Sequence, residues 1–264
     1  MSATSLLTGK TVLVSGVGPG LGRQIAGAAC AAGASVMLGA RSRDYLEEAT
    51  AELRTASGKA SFRVCDVTSD EQCHAVVQAV EEEFGGLDCV VNNAFAVAPH
   101  GLTLENEDLD EWRQSFEVNF FGALGLTKAA IPALRRSGGG TVVFIGSQIV
   151  RRVFAGRGPY ASSKAALLTA SRVLAKEVGP YGIRVNTVVP GRMWGPSLRK
   201  YLDRLAVERG TSAETERQRM VADVALPSLV TDEQCAGTVV FLASDLSAGI
   251  TGQTIDVNAG ETLN

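Results

Sequence analysis

Apolar residues in this chain fall in short unbroken runs, each followed by a longer stretch where they recur every three or four positions. Thr11–Ser15 (TVLVS) reads as a strand, followed by a glycine-rich turn and a helix through about Ala32. Strands at Ser35–Leu38 (SVML) and Ser61–Cys65 (SFRVC) alternate with helices over about Asp44–Thr55 and Asp70–Phe84. Leu87–Asn92 (LDCVVN) and Thr141–Ile145 (TVVFI) bracket a long helical region centred on Trp112 to Ala133. Pro159–Val178 reads as a helix, Ile183–Val188 (IRVNTV) as a strand, Asp232–Ala243 as a helix and Thr254–Val257 as the last strand. Between them Arg192–Leu226 is polar, punctuated by Met and Pro, and without clear period; it reads as an irregular substrate loop.

Strands that are apolar throughout, rather than alternating, are covered on both faces. Strand–helix alternation with right-handed crossovers then gives a doubly wound parallel sheet, Rossmann-like, of seven strands with helices on both sides. No repeat, low-complexity segment or linker interrupts the pattern, so residues 1–264 read as one domain. A chain of 264 residues with 45% hydrophobic positions buries enough surface to fold without a disulfide or metal staple.

Net charge is −3, with Lys and Arg scattered, which argues against a nucleic-acid partner. The five cysteines are odd in number and widely spaced with no C-x-x-C, the pattern of free thiols in a reducing cytosol. Met1–Lys10 is mixed in character and no window is apolar over bilayer length, so the expected protein is soluble and cytoplasmic, without a membrane partner.

The first turn, Ser15-Gly16-Val17-Gly18-Pro19-Gly20-Leu21-Gly22, carries the first candidate chemistry. In a doubly wound sheet it lies at the carboxyl edge near the switch in strand order, where ligands bind. Glycines let the backbone approach a pyrophosphate, and the N–H groups at the helix start attract its charge. The spacing is G-x-x-x-G-x-G, from Gly16 to Gly20 to Gly22, rather than G-x-G-x-x-G. After the second strand no carboxylate is available for the ribose 2′-hydroxyl of NAD, whereas Arg41 in Gly39-Ala40-Arg41-Ser42-Arg43 offers a forked donor for the 2′-phosphate of NADP. NADP(H) is therefore expected in preference to NAD(H).

Tyr160 and Lys164 stand four apart near the start of a predicted helix and share a face. A phenol titrates near about pH 10. Bringing it close to neutrality takes roughly 4 kcal/mol, which a neighbouring ammonium and an oxidised nicotinamide supply together in a dry cleft. Ser147, closing the fifth strand, is placed to hold a carbonyl oxygen that Tyr160 protonates. Two histidines, His74 and His100, stand apart from these motifs, so neither a His-based triad nor a metal centre is expected.

This set resembles the short-chain dehydrogenase/reductase family over nearly the whole chain. The resemblance rests on Gly16/Gly20/Gly22, Asp66-Val67, Asn92-Asn93-Ala94, Asn119, Ser147, Tyr160/Lys164, Asn186 and Pro190-Gly191. It implies hydride transfer between NADP(H) and a ketone or secondary alcohol, with Tyr160 as acid or base and Ser147 orienting the substrate oxygen. Lys164 would lower the tyrosine's pKa and bind the nicotinamide ribose, and Asn119 would help carry a relay water. The cofactor-binding set would be Ser15, Gly16, Gly18, Gly20, Leu21, Gly22, Arg41, Asp66 and Val67 at the adenine, Asn93 and Ala94, and the Val188–Gly191 passage with Pro190 and Gly191 along the nicotinamide. A homotetramer or homodimer follows by the same resemblance, with Gly252–Asn264 near a subunit contact. An enoyl reductase on this scaffold spaces its tyrosine and lysine further apart. A non-catalytic nucleotide sensor would have lost one of the pair. Ser147 is not a hydrolase elbow, because Ile145 and Ile149 stand where glycines would be needed.

The chain departs from the family pattern at Ser15, where threonine is usual, and at Phe95, where glycine is usual. Several residues keep two readings. Asn119 is a catalytic residue or a buried amide that satisfies backbone; Asp66 is a ligand contact or the cap of the helix beginning near Ser69. Met193 and Trp194 line the substrate pocket or clasp a subunit. Arg151, Arg152 and Arg157 attract an anionic substrate or sit at the solvent or subunit boundary.

Overall fold

The computed structural model of the protein describes residues 5–56, 58–97 and 102–263; the first four residues of the mixed N-terminal segment, His100 and Asn264 lie outside them. Seven strands run parallel: β1 (Thr11–Ser15), β2 (Ser35–Ala40), β3 (Lys59–Val64), β4 (Cys89–Asn92), β5 (Gly140–Ile145), β6 (Ile183–Pro190) and β7 (Thr254–Val257). Their spatial order is β3-β2-β1-β4-β5-β6-β7. The order reverses between β1 and β4, so the turn after β1 and the end of β4 face a shared crevice at the carboxyl edge.

Successive strand side chains go to opposite faces, and each face has its own core. Val12, Val14, Val91 and Val143 pack with Ile25 of α1 (Leu21–Ala31), Leu46 of α2 (Arg43–Thr55) and Val239 of α9 (Asp232–Ala243). Leu13, Val90, Val142 and Phe144 pack with Val76 of α3 (Asp70–Phe84), Leu126 and Leu134 of α5 (Ala123–Arg136) and Leu167 of α6 (Gly158–Val178). The doubly wound fold expected from the apolar runs is the fold observed.

Local signals set the helix ends. Ser69 caps α3 by accepting from the Gln72 N–H at 3.3 Å, and α3 stops at Gly85 with φ +84°. Thr231 and Gln234 form a reciprocal capping box on α9. The long helical region around Trp112–Ala133 divides into α4 (Leu109–Phe116), a π-helical turn over Glu117–Gly122, and α5. Such turns recur at functional sites.

The reading of 192–226 as irregular is corrected: the segment contains two helices, α7 (Pro196–Arg209) and α8 (Ala213–Ala222). Proline in the first turn and Gly210 at the left-handed C-cap delimit α7, and Ser212 caps α8 by accepting from the Thr215 N–H. An apolar period is missing because charge pairs, rather than a broad apolar stripe, hold these helices. Glu216 is 2% exposed and takes Arg209 at 2.9 Å, the Thr211 hydroxyl at 2.7 Å and Arg219. Among the described residues no helix is long and apolar enough to cross a membrane.

Candidate active site

The turn after β1 is packed directly against the end of β4. Gly16 has φ +71°, and a Cβ there would lie 2.4 Å from Ala94 Cα and N. Asn93 Nδ2 donates to the Gly16 carbonyl at 2.8 Å, while the Ser15 hydroxyl donates to the Val91 carbonyl at 3.2 Å and accepts from the Asn93 N–H at 3.3 Å. Ser15 and Asn93 thus brace the cradle, and the hydroxyl shared by serine and threonine makes the Ser15 departure chemically silent. A Cβ at Gly22 would strike the Gly16 carbonyl at 2.6 Å, whereas Gly18 has nothing within 4 Å. Leu21 starts α1 with no side chain capping its first turn, which leaves N–H groups available to an anion.

Two cavities meet at this turn. One, of about 390 Å³, is walled by Gly16, Val17 and Gly18 with Arg41, Asp66, Val67, Ala94 and Phe95. The other, of about 320 Å³, is walled by Gly16, Gly18, Gly20, Leu21, Gly22, Asn93 and Phe95 with Met193, Pro196, Leu198 and Asp232. A larger hollow lies away from the cradle, around Arg43, Phe62 and Arg63 at the β3 edge, and holds none of the candidate residues. An elongated dinucleotide fits the joined pair: an open glycine turn in the middle, a basic group at one end and lid residues at the other. Phe95 is 60% exposed and stands between the two cavities, so it narrows the passage without distorting the turn. Met193 lines the second cavity; Trp194 is held outside it between Arg199 and Arg217, at 5.1 and 5.7 Å from its ring.

Asp66 is not the cap of α3, a role Ser69 takes. Its Oδ1 accepts from Thr68 N at 3.0 Å and Thr68 Oγ1 at 2.8 Å, and these bonds, with Arg41 nearby, hold the carboxyl below its ordinary range. Ser15, Pro190 and Gly191 contribute no wall to either cavity. Gly191 instead follows β6 in close contact with Asn258 and the Gln148 amide oxygen, which a Cβ would approach to 2.7 and 2.9 Å.

The carboxyl end of β5 brings the second group together. Ser147 and Tyr160 are linked by a side-chain hydrogen bond. Lys164, one turn along α6 and 2% exposed, donates from Nζ to the Ile145 carbonyl at 2.8 Å, and Nζ lies 5.9 Å from the centre of the Tyr160 ring. Burial pushes the Tyr160 phenol up; the Ser147 hydrogen bond and the Arg157 guanidinium pull it down. In the cofactor-free chain Lys164 donates to a backbone carbonyl, and Arg157 is a second cation beside the phenol. Arg157 is half-buried beside Tyr160 and Tyr201 of α7. Its place three residues before Tyr160, one helical turn away, was the signal in the sequence. In an Arg157→Gln variant the phenolate is expected to form at higher pH. The rise of alcohol oxidation with pH should then shift upward by about one pH unit, a roughly tenfold loss at neutrality, with ketone reduction affected less. A pH–rate profile in both directions checks this, and an unmoved oxidation limb would remove Arg157 from the site.

Burial also lowers Lys164 to about 8 from 10.5. Below that pH the folded and unfolded chains both hold the proton, and folding bears the full cost of the buried ammonium, roughly 3 kcal/mol. Between about 8 and 10.5 only the unfolded chain stays protonated, so stability rises with pH. The melting temperature of the cofactor-free protein should therefore gain on that of Lys164→Met as pH goes from 8 to 10. A constant difference across that window would show that the ammonium is not desolvated.

Asn119, in the π-helical turn, is fully buried and fully bonded. Its Oδ1 accepts from Ala96 N at 2.8 Å, and its Nδ2 donates to Ala96 O at 2.9 Å and Ser163 Oγ at 3.0 Å. The side chain joins the segment after β4 to α6, with both amide hydrogens donated and the amide oxygen engaged by Ala96.

Arg151 and Arg152 do not face a substrate as free charges. Arg151 pairs with Asp256 at 3.4 Å, and Arg152 with Glu261 at 3.4 Å and Asp223 at 3.5 Å. Arg192 takes the same two carboxylates, at 3.0 and 3.3 Å. These three arginines and three carboxylates balance. The cluster ties the loop after Ser147 to the end of α8 and to the C-terminal segment, where Glu261 is wholly covered.

A parallel sheet with an open glycine cradle at its switch point, beside a hydroxyl pair backed by a buried lysine, defines a nucleotide-dependent α/β oxidoreductase. The comparisons with known proteins agree. A family model described as enoyl-(acyl carrier protein) reductase matches residues 16–262. The chain is 33% identical over 252 residues to 3-oxoacyl-(acyl-carrier-protein) reductase FabG of Escherichia coli K12, covering 96% of this chain and 97% of that one. It is 34% identical over 262 residues to trans-4-hydroxycyclohexanecarboxylate dehydrogenase of Sinomonas cyclohexanicum, covering 96% and 93%. Among solved structures, a short-chain dehydrogenase/reductase from Burkholderia xenovorans superposes with a TM-score of 0.87 at 29% identity, covering 97% and 98%. An actinorhodin polyketide ketoreductase variant with NADPH gives 0.86 at 30% identity, covering 94% and 95%. The chain belongs to the short-chain dehydrogenase/reductase family, enzymes that act on secondary alcohols and ketones.

Proposed function

We propose that the protein transfers a hydride between NADP(H) and a ketone or secondary alcohol, with Tyr160 as the proton-transfer group. The observation that carries this reading is the hydrogen-bonded Ser147–Tyr160 pair with buried Lys164 one turn behind it, at the sheet edge that holds the glycine cradle. A carbonyl oxygen placed between the two hydroxyls receives a hydrogen bond from Ser147 and the proton from Tyr160. The bound nicotinamide supplies or accepts the hydride. In the oxidation direction Tyr160 must lose its proton, and the Arg157 guanidinium and the Lys164 ammonium favour the phenolate. Gly16, Gly20, Gly22 and the first turn of α1 would hold the diphosphate segment, braced by Ser15 and Asn93, with Pro190 and Gly191 beside the nicotinamide. Asn119 acts by fixing the segment after β4 against α6.

NADP(H) is preferred on this reading, because Arg41 is the basic group at the adenosine-side cavity, and the one carboxylate there, Asp66, is already engaged by Thr68. The actinorhodin ketoreductase, a relative of the same fold, was solved with NADPH. Arg41→Ala is expected to weaken NADPH by about tenfold and leave NADH nearly unchanged. Isothermal titration measures both, and equal losses for the two cofactors would reverse the assignment.

The relatives' names give a 3-oxoacyl group and a hydroxycyclohexanecarboxylate, and we infer a ketone or secondary alcohol of this general kind; Arg151 and Arg152 are taken up by Asp223, Asp256 and Glu261 and do not serve to bind it. The family model's description favours a second reading, enoyl reduction. NADPH oxidation followed against a panel of cyclic ketones, 3-oxoacyl thioesters and enoyl thioesters separates them. Turnover of enoyl thioesters alone would overturn the carbonyl assignment, and cofactor binding without any turnover would indicate a sensor.

A further inference from the structure

Cys65 and Cys73 flank the 66–72 segment, whose first residues Asp66 and Val67 line the adenosine-side cavity, and hydride transfer uses neither. Cys65 lies just beyond β3, is 4% exposed and lines the cavity. Cys73 is fully buried in the first turn of α3, where its N–H bonds the carbonyl of the Ser69 cap at 2.9 Å. The Cys73 thiol reaches the Val67 carbonyl at 3.5 Å and the Cys65 thiol reaches the Gln72 carbonyl at 3.7 Å, so each sulfur lies over the segment that joins them. The two neighbouring thiols bias one another, Cys73 toward the thiolate and Cys65 away from it. The start of a helix favours it there too. Burial pushes Cys30 up to about 11 and Cys89 and Cys235 up to about 12, so these three remain unreactive thiols.

We propose that Cys65 and Cys73 form a peroxide-oxidisable pair whose disulfide closes the adenosine half of the cofactor cleft. Hydrogen peroxide enters through the cavity that Cys65 lines. The Cys73 thiolate attacks one peroxide oxygen; the S–O bond forms, the O–O bond breaks, and the departing hydroxide leaves as water with the proton of the site. The Cys65 sulfur then attacks Cys73, its proton going to the displaced hydroxide, so that the S–S bond forms as the S–O bond breaks. Two thiols are oxidised, one peroxide is reduced and two waters are released. A disulfide brings the sulfurs to about 2.05 Å. That draws the end of β3 toward α3 and displaces the backbone of Asp66 and Val67, along with the bonds from Asp66 N to Gln72 and from Thr68 to Asp66. Formation of the disulfide is independent of the function proposed above; its effect on NADPH rests on that reading.

The test treats the intact protein with hydrogen peroxide, quenches and denatures it, alkylates the remaining thiols and maps them by mass spectrometry. Cys65 and Cys73 should be lost from alkylation together as one linked peptide pair, with three of the five cysteines still alkylated. Dithiothreitol should restore both, and saturating NADPH present during oxidation should slow the loss. In Cys65→Ser the expected product is a sulfenic acid on Cys73, trapped by dimedone. Oxidised protein should bind NADPH at least about tenfold more weakly than reduced protein, reversibly. Both cysteines remaining fully alkylated under peroxide that oxidises the partly exposed Met193 and Met220 would overturn the pair, and a mapped disulfide with unchanged NADPH affinity would overturn the closure. Reduced protein that fails to bind NADPH would instead defeat the functional reading, with the peptide map still deciding the disulfide.

Discussion

Replacing Tyr160 with phenylalanine is expected to lower kcat for ketone reduction by about 10³-fold, inside the roughly 10² to 10⁴ contributed by a positioned proton donor. The substitution removes one oxygen from a half-buried ring, so the aromatic packing on α6 is kept. What goes is the donor that neutralises the developing alkoxide, together with its bond to Ser147. Lys164 keeps its contact with the Ile145 carbonyl, and the glycine cradle is untouched, so NADPH affinity should change by less than about twofold. Steady-state rates combined with a fluorescence titration of NADPH separate the two quantities. Turnover within tenfold of the parent would mean that a different group delivers the proton, and the mechanism would have to be rebuilt around it.

Gly16→Ala is the second large effect, and it acts on the backbone. The left-handed φ of +71° costs alanine about 1 kcal/mol, and its Cβ would overlap Ala94 Cα and N at 2.4 Å and Asn93 C at 2.9 Å. Forcing the cradle off the end of β4 adds about 1 to 3 kcal/mol, by analogy with an overfilled core. A loss near 3 kcal/mol should lower the melting temperature by roughly 6 to 12 °C in a domain of this size. Because the same shift displaces Asn93 and the Gly16 carbonyl it bonds, NADPH binding should fall by at least about 100-fold. Gly18→Ala is the control: nothing lies within 4 Å of its added Cβ, so the cofactor-free protein should melt within about 1 °C of the parent. Equal melting temperatures for all three proteins would show that the turn does not press on β4.

Much of the site could be read in advance because its parts are local. Gly16, Gly20 and Gly22 follow a buried strand, Tyr160 and Lys164 share one helical face, and Ser147 ends a strand. In each case the periodicity of one element is enough to aim the residue at the carboxyl edge. What could not be read concerns partners from distant segments. Asp66 looked equally like a cap, yet Ser69 is better placed for the Gln72 N–H, and only the folded loop shows the carboxylate turned to Thr68. Arg151 and Arg152 were open to two readings until the fold brought up Asp223, Asp256 and Glu261, the nearest of which is some seventy positions along the chain.

The order of strands and helices, the two-faced burial of the sheet and the location of the cradle were set by the sequence alone, since they follow from the spacing of apolar side chains and from where glycine interrupts it. Tertiary structure decided the rest. It buried Glu216 of the 196–222 stretch beneath the exposed Arg209 and Arg219, brought Arg157 beside the Tyr160 phenol, and set Cys65 near Cys73. The reason is physical: periodic burial is a property of each segment taken singly, whereas the field at a titrating group, and the partner of a buried charge, depend on which segments are brought within a few ångströms of each other.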